Sequence, residues 1–294
     1  VLRSRADCFK RMERIPNIGI AADRCVGCGR CVRVCPSMVF EMSGADSCPV
    51  VAAPENCIGC SHCVAACPVR AVVHDRFPPE RIRPVDRSLL PSPEQLQLLM
   101  RARRSNRDLT KRPVPQEHID RILDAARYAP TASNLQQVGF TVVADPERLN
   151  LVVEYTLDFC RRMLRLLEMP LLGPVVRRFV KGADRYRLTF HRLIDEYEQH
   201  GRDRVLRGAT ALILFHTSVG NRFGAIDCQL AYQNGSLMAE ALGVSQIYAG
   251  FVYTAIHADR KNRLARELGI EGTIHAGMAL GMPACLFPNY VEKG

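Results

Sequence analysis

The chain has 294 residues, 47% of them hydrophobic and 24% charged, which is the composition of globular domains and leaves room for two of ordinary size. No stretch approaches the roughly 18 consecutive apolar residues that would span a bilayer. With 40 Lys and Arg against 30 Asp and Glu, the formal charge is +10, so nucleic-acid binding has to be weighed against the distribution of the other residues. Val1 to Met12 is polar and basic without an apolar stretch, so no secretory leader is read there and a cytoplasmic protein is expected.

Cysteine dominates the first third: ten of the thirteen fall before residue 70. Residues 25–36 read CVGCGRCVRVCP and residues 57–68 read CIGCSHCVAACP, the same C-x2-C-x2-C-x3-C-P run repeated 32 residues on. Spacing rather than density decides the chemistry. Disulfide frameworks and zinc sites do not use this run, and c-type haem needs a C-x2-C-H that neither copy has. The C-x2-C-x2-C loop brings three sulfurs onto one cubane, with Gly27, Gly29 and Gly59 letting the backbone curl around an anion. The fourth cysteine serves the other cluster, and Pro36 and Pro68 steer the chain away. His62 reads as a solvent-side neighbour. Cys8, Cys48, Cys160, Cys228 and Cys285 show no ligand spacing and read as structural or incidental thiols.

On these residues, about 19–76 resemble the bacterial two-cluster ferredoxins. The resemblance implies a pseudo-two-fold module with one [4Fe–4S] cluster on Cys25, Cys28, Cys31 and Cys67 and another on Cys57, Cys60, Cys63 and Cys35. Clusters would remove about two charges each, and a phosphate-bearing cofactor about two more. The loaded protein would be only modestly basic, and no nucleic-acid partner is expected.

Residues 77–93, FPPERIRPVDRSLLPSP, hold five prolines and read as a stiff linker, with domains of 1–84 and 85–294 on either side. Beyond it, Ser92-Pro93 opens a helix. A second helix follows Pro115, with Ile119, Ile122, Leu123 and Ala126 on one face. Strands are expected at GFTVVAD, at TALILFHT (210–217), at VSQIYAG and around IHAGMALGM. Helices are expected from about Ala225 to Leu242, closed by Gly243, and near 258–268. Helices and strands alternate, giving an α+β class. Residues 155–207 read as a helical insert: a cap on the core, a lid, or a basic docking face. Membrane-surface association is not expected.

Three segments carry chemistry. Arg103, Arg104, Ser105 and Arg107 form an anion socket. Pro130, Thr131, Ser133, Asn134 and Gln136 lie in a turn of small and amide side chains. Ala249 and Gly250 follow a strand, where glycine lets backbone approach a flat ring. In this order, with the helix Asp227–Gly243, they resemble the nitroreductase family of FMN flavoproteins over about residues 95–290. The resemblance implies an α+β sheet flanked by helices, an intertwined homodimer, and FMN. Its phosphate would lie on Arg103, Arg104, Ser105 and Arg107, with Pro130, Thr131, Ser133, Asn134 and Gln136 lining the ribityl chain and ring. Ala249 and Gly250 would offer N–H groups near the reactive edge. Family chains often end with an Arg on the phosphate, and Lys293 stands near that place here.

Together these imply an iron–sulfur flavoprotein oxidoreductase. Reduced ferredoxin or a similar donor, or NAD(P)H, would supply electrons through the clusters to FMN for a small organic acceptor such as a nitroaromatic or quinone. The alternative is an electron carrier between protein partners. No side chain stands out as a general acid or base, and the absence of G-x-G-x-x-G argues against a separate dinucleotide domain.

Overall fold

The structure, a computed structural model, describes residues 14–44, 46–179 and 182–293. Cys8 and the residues before Arg14 lie outside that set. The chain divides into two compact units between Leu90 and Pro91, a few residues past the expected boundary near 85, and Thr131–Leu135 groups with the first.

The first unit is built twice over from the cysteine repeat. In chain order it runs β1 (Ile18–Ile20), α1 (Arg30–Arg33), β2 (Phe40–Met42), β3 (Pro49–Val51), α2 (His62–Ala66) and β4 (Val72–His74). Both short helices follow a left-handed residue: Gly29 at φ 62° and Ser61 at φ 65°. β2 and β4 lie 32 residues apart, as do the starts of α1 and α2. Strand pairing respects the repeat: β1 pairs antiparallel with β4 and β2 with β3. Cys31, Val39, Phe40, Cys63, Val64 and Val72 form a small shared core.

The second unit is a four-stranded antiparallel sheet between helical layers. It opens with α3 (Pro93–Ala102) and α4 (Gln116–Arg127), then β5 (Gly139–Val143). Three helices follow: α5 (Pro146–Glu168), α6 (Leu172–Phe179) and α7 (Ala183–His200). The chain closes with β6 (Ala211–Thr217), α8 (Gly224–Ala241), β7 (Ser245–Tyr248), α9 (Gly250–Ala258), α10 (Arg263–Glu267) and β8 (Thr273–Gly281). The strand order is β5-β6-β8-β7. Ser92 and Gln95 form a reciprocal capping box at the start of α3.

Period-two alternation along β6 sorts its side chains to two cores. Leu212 and Leu214 enter one with Leu157, Phe190 and Ile256, while Ile213 and Phe215 enter the other with Ile122, Ala231 and Tyr232. Leu157 of α5 and Phe190 of α7 belong to this core, and α5 starts at Pro146, where Asp145 caps it by accepting from the Arg148 N–H. Arg161 ties α5 to α7 by pairing with Glu198 as well as with Glu154 and Asp158. The sequence reading missed α9. Gly250–Ala258 is too apolar to show an amphipathic period, and its glycine stands at the first helical position. No described helix is long and apolar enough to cross a membrane.

Candidate cluster and flavin sites

Two small cavities open in the first unit. One is faced by Cys25, Cys28, Cys31 and Cys67, with Ile20, Val69 and Val72 on its walls. The other is faced by Cys35, Cys57, Cys60 and Cys63, with Ile18, Val39, Phe40 and His74. Each cavity thus gathers three thiols from one run and one from the other. Among the described residues no three His, Cys, Asp or Glu side chains converge on a single metal position. A cubane offers four separate iron corners, so its thiolates stand apart around a volume, and the donor set fits such a group.

Charge in these cavities depends on the metal. Burial pushes the Cys63 thiol up to about 12, and burial likewise raises Cys31 and Cys57. These sulfurs hold negative charge when iron replaces the proton. Backbone donors are already turned to them: Ala71 N–H reaches Cys67 Sγ at 3.1 Å, Val39 N–H reaches Cys35 Sγ at 3.4 Å, and Gly59 N–H reaches Cys57 Sγ at 3.4 Å.

Two neighbours of the ligand candidates escaped the sequence reading. Cys48, read as structural or incidental, lies beside Cys25, the largest influence in raising its thiol above the ordinary range. The loop that carries it lies against the first cysteine run at Gly27. His74 lines the second cavity, with Nε2 3.5 Å from Cys57 Sγ. Burial, its largest influence, lowers its pKa; Arg76 adds to this and Asp75 opposes it. Seventeen residues separate Cys57 from His74, a spacing with no motif to announce it. His62 is exposed, as expected, and Cys160 and Cys228 are buried core thiols.

In the second unit the arginine run is held by β7. Ser105 forms a parallel bridge with Gln246. The Gln246 side chain, fully buried, donates from Nε2 to the Arg104 carbonyl at 3.2 Å and accepts from the Tyr232 hydroxyl. Asn106, 5% exposed, donates to the Cys285 carbonyl at 2.7 Å. With the backbone pinned on both sides, Arg103 and Arg104 are half-buried and Arg107 is exposed. Among the described residues none of these three has a carboxylate within ion-pair distance.

A fourth guanidinium, Arg207, which the sequence reading did not name, feels the charge of Arg107. Burial lowers the Arg207 pKa, and repulsion from Arg204 and Arg107 adds to it, with Asp203 opposing. Asp203 fixes that loop by accepting from the N–H groups of Val205, Leu206 and Gly208. Arg103, Arg104 and Arg107, with no carboxylate paired to them among the described residues, suit a phosphate dianion. Lys293 is exposed.

The other flavin candidates divide. Pro130 and Gln136 belong to the second unit; Thr131, Ser133 and Asn134 group with the first, where Asn134 Nδ2 donates to the Gly59 carbonyl at 2.8 Å. The sequence reading put this whole turn in the second domain. Ser133, Asn134 and Gln136 all have left-handed backbone, near φ 50°, and the Asn134 amide finds its acceptor outside its own turn. Ala249 departs from expectation too. Its N–H donates to the Gly277 carbonyl at 2.9 Å and its side chain is buried, so the backbone extends the β7–β8 ladder there. Gly250, at the first position of α9, is where an N–H has no helical acceptor.

Residues 100–282 match the nitroreductase family, and residues 17–68 match the 4Fe-4S dicluster domain. An NADPH-dependent oxidoreductase of Staphylococcus saprophyticus is 27% identical over 190 residues, and the chain spans 65% of that relative's length, using 65% of its own. Among solved structures, a nitroreductase with bound FMN from Bacteroides fragilis is 20% identical, covering 68% of this chain and 95% of that one with a TM-score of 0.50. One from Desulfitobacterium hafniense, also with bound FMN, is 21% identical over 67% and 94%, with a TM-score of 0.51. At such identities these two speak for the fold. Matched over more than half its length, the chain belongs to the nitroreductase family, and it carries a 4Fe-4S dicluster domain ahead of that fold.

Proposed function

We propose that this chain is an iron–sulfur flavoprotein oxidoreductase that holds two [4Fe–4S] clusters and one FMN and reduces a small organic acceptor such as a nitroaromatic or quinone. When bound, the clusters supply single electrons from a low-potential donor, reduced ferredoxin or a similar protein, and the flavin supplies electron pairs. The observation that carries the reading is the sorting of eight thiols into two cavities of four, each drawing its fourth from the opposite run.

The chain's own residues have distinct tasks in this reading. Cys25, Cys28, Cys31 and Cys67 hold one cluster, and Cys35, Cys57, Cys60 and Cys63 hold the other. Backbone N–H groups of Val39, Gly59 and Ala71 offset their charge. Arg103, Arg104, Arg107 and Arg207 bind the flavin phosphate, with Ser105 beside it. Gln246 sets the height of that run by gripping the Arg104 carbonyl. The Gly250 N–H serves the ring. Pro130, Thr131, Ser133, Asn134 and Gln136 complete the flavin contacts, and a second copy of the chain completes a homodimer. Among the described residues no side chain stands out as a general acid or base, and solvent would supply protons.

Anaerobic purification followed by iron, sulfide and flavin analysis tests this: about eight irons and one FMN per chain are expected. Turnover of a nitroaromatic or quinone with reduced ferredoxin supports the enzyme. Reoxidation only by a protein partner would make the chain a carrier, and bleaching by NADPH alone would replace the donor.

A further inference from the structure

His74 closes β4, and its side chain is 1% exposed. It shares a cavity wall with Cys35, Cys57, Cys60 and Cys63. Nδ1 accepts a hydrogen bond from the Arg76 backbone N–H at 3.2 Å. An imidazole nitrogen that accepts carries no proton, so the ring hydrogen is on Nε2. Nε2 faces Cys57 Sγ at 3.5 Å. The contact is therefore an N–H···S hydrogen bond with the sulfur accepting. The Phe77 ring, 4.7 Å from the imidazole centroid, packs on one side, and the Asp75 carboxylate is 3.5 Å from Nδ1, on the side away from the sulfur.

The internal repeat supplies a control within the same molecule. Thirty-two residues before His74, at the matching end of β2, stands Met42, whose thioether has no hydrogen to donate. The backbone donors at Cys67 and Cys35, Ala71 N–H and Val39 N–H, are themselves 32 residues apart and serve the two cavities alike. The cavities differ at the first cysteine of each run: Cys57 faces His74 Nε2 and also accepts from the Gly59 N–H, while Cys25 lies beside the Cys48 thiol. Reduction of a cluster places more negative charge on its cysteine sulfurs. A donor aimed at one of them stabilises the reduced state more than the oxidised one and raises the potential.

We propose that the His74 Nε2–H bond to Cys57 makes the two clusters unequal, placing the one on Cys35, Cys57, Cys60 and Cys63 at the higher potential, where a single entering electron comes to rest. This rests on both cavities holding clusters. An equilibrium preference of about tenfold is expected, which for one electron is ~59 mV. His74 is thus a positioning residue for charge, with no contact to substrate.

The test uses the full chain, purified anaerobically and assayed for iron and acid-labile sulfide before any potential is measured. A preparation without iron and sulfide refutes the cluster reading and this inference together. With eight irons present, potentiometric EPR titration reads the two reduction steps. In His74→Ala the upper step falls by about tenfold in equilibrium terms. In His74→Gln, which keeps a side-chain N–H, it falls less, and in Met42→Ala neither step moves. An unmoved upper step in His74→Ala overturns the inference, as does an equal fall in His74→Gln or in Met42→Ala. The unmutated chain gives a second readout that does not depend on a variant keeping its iron. With ¹⁵N-histidine labelling, pulsed EPR after one-electron reduction shows a ¹⁵N coupling on the signal that appears first. A coupling only on the second signal, or none, refutes the assignment.

Discussion

Gly27 and Gly59 occupy equivalent places in the two cysteine runs and share a left-handed backbone, φ 65° and 63°. A side chain at either costs about 1–2 kcal/mol for the left-handed conformation alone. Their surroundings differ. A Cβ on Gly27 runs into the Asp46 carbonyl oxygen, which is backbone. A Cβ on Gly59 meets the end of the Arg76 side chain at 2.9 Å, which can swing away. Overpacking adds about 1–3 kcal/mol where the neighbour cannot yield. Gly27→Ala therefore costs about 2–5 kcal/mol and Gly59→Ala about 1–2. Relief at Gly27 requires Asp46 to withdraw or the first run to open. Because cluster loss is irreversible, the assay is a rate: anaerobic bleaching of cluster absorbance in the presence of an iron chelator. Bleaching in Gly27→Ala is expected to be at least tenfold faster than in Gly59→Ala. Equal rates, or a faster loss in Gly59→Ala, would show that carbonyl contact does not govern the loop.

Gln246→Leu strands the Arg104 carbonyl and the Tyr232 hydroxyl in a buried site, so about 1–3 kcal/mol of stability is lost. Flavin should be retained more weakly, measured by thermal unfolding and by equilibrium dialysis. Arg107→Ala and Arg207→Ala should each weaken FMN binding while leaving riboflavin, which lacks the phosphate, nearly unchanged; isothermal titration with both ligands checks this. Phe215, fully buried between Phe140 and Tyr232, should cost about 3–5 kcal/mol as Phe215→Ala in denaturant unfolding. Iron competes with protons for thiols whose pKa burial raises, Cys63 to about 12. Acidification favours the protonated, empty cavity, so chelator-driven iron loss should speed up as pH falls.

Legibility followed the range of the interactions involved. The grouping of the cysteines is written within each run, and the motif also pointed to the fourth thiol that each cavity takes from the opposite run. The capping box of α3 and the apolar face of α4 were readable because caps and helical periods are written in consecutive residues. His74, Gln246 and Arg207 were not. Each acquires its role through strand register or a loop closed by distant groups: β4 on β1, the Ser105–Gln246 bridge, the Asp203-bound turn. Ala249 misled because the motif named a backbone donor without showing that β8 already takes it. The α9 helix was invisible because it is short, mostly apolar, and opens on a glycine, so its helical period is weak.

The exchange of one thiol between the two cavities binds their fates. A chain ending after residue 56 lacks a wall for both chambers, and a nick between the two runs loosens both at once. Growth of such a chain during synthesis closes neither chamber early: the first waits for Cys67, and the second for a run that begins at Cys57. With β1 pairing only with β4, the beginning and end of this small unit are also sewn to each other. Assembly is then a single event, gained or lost whole.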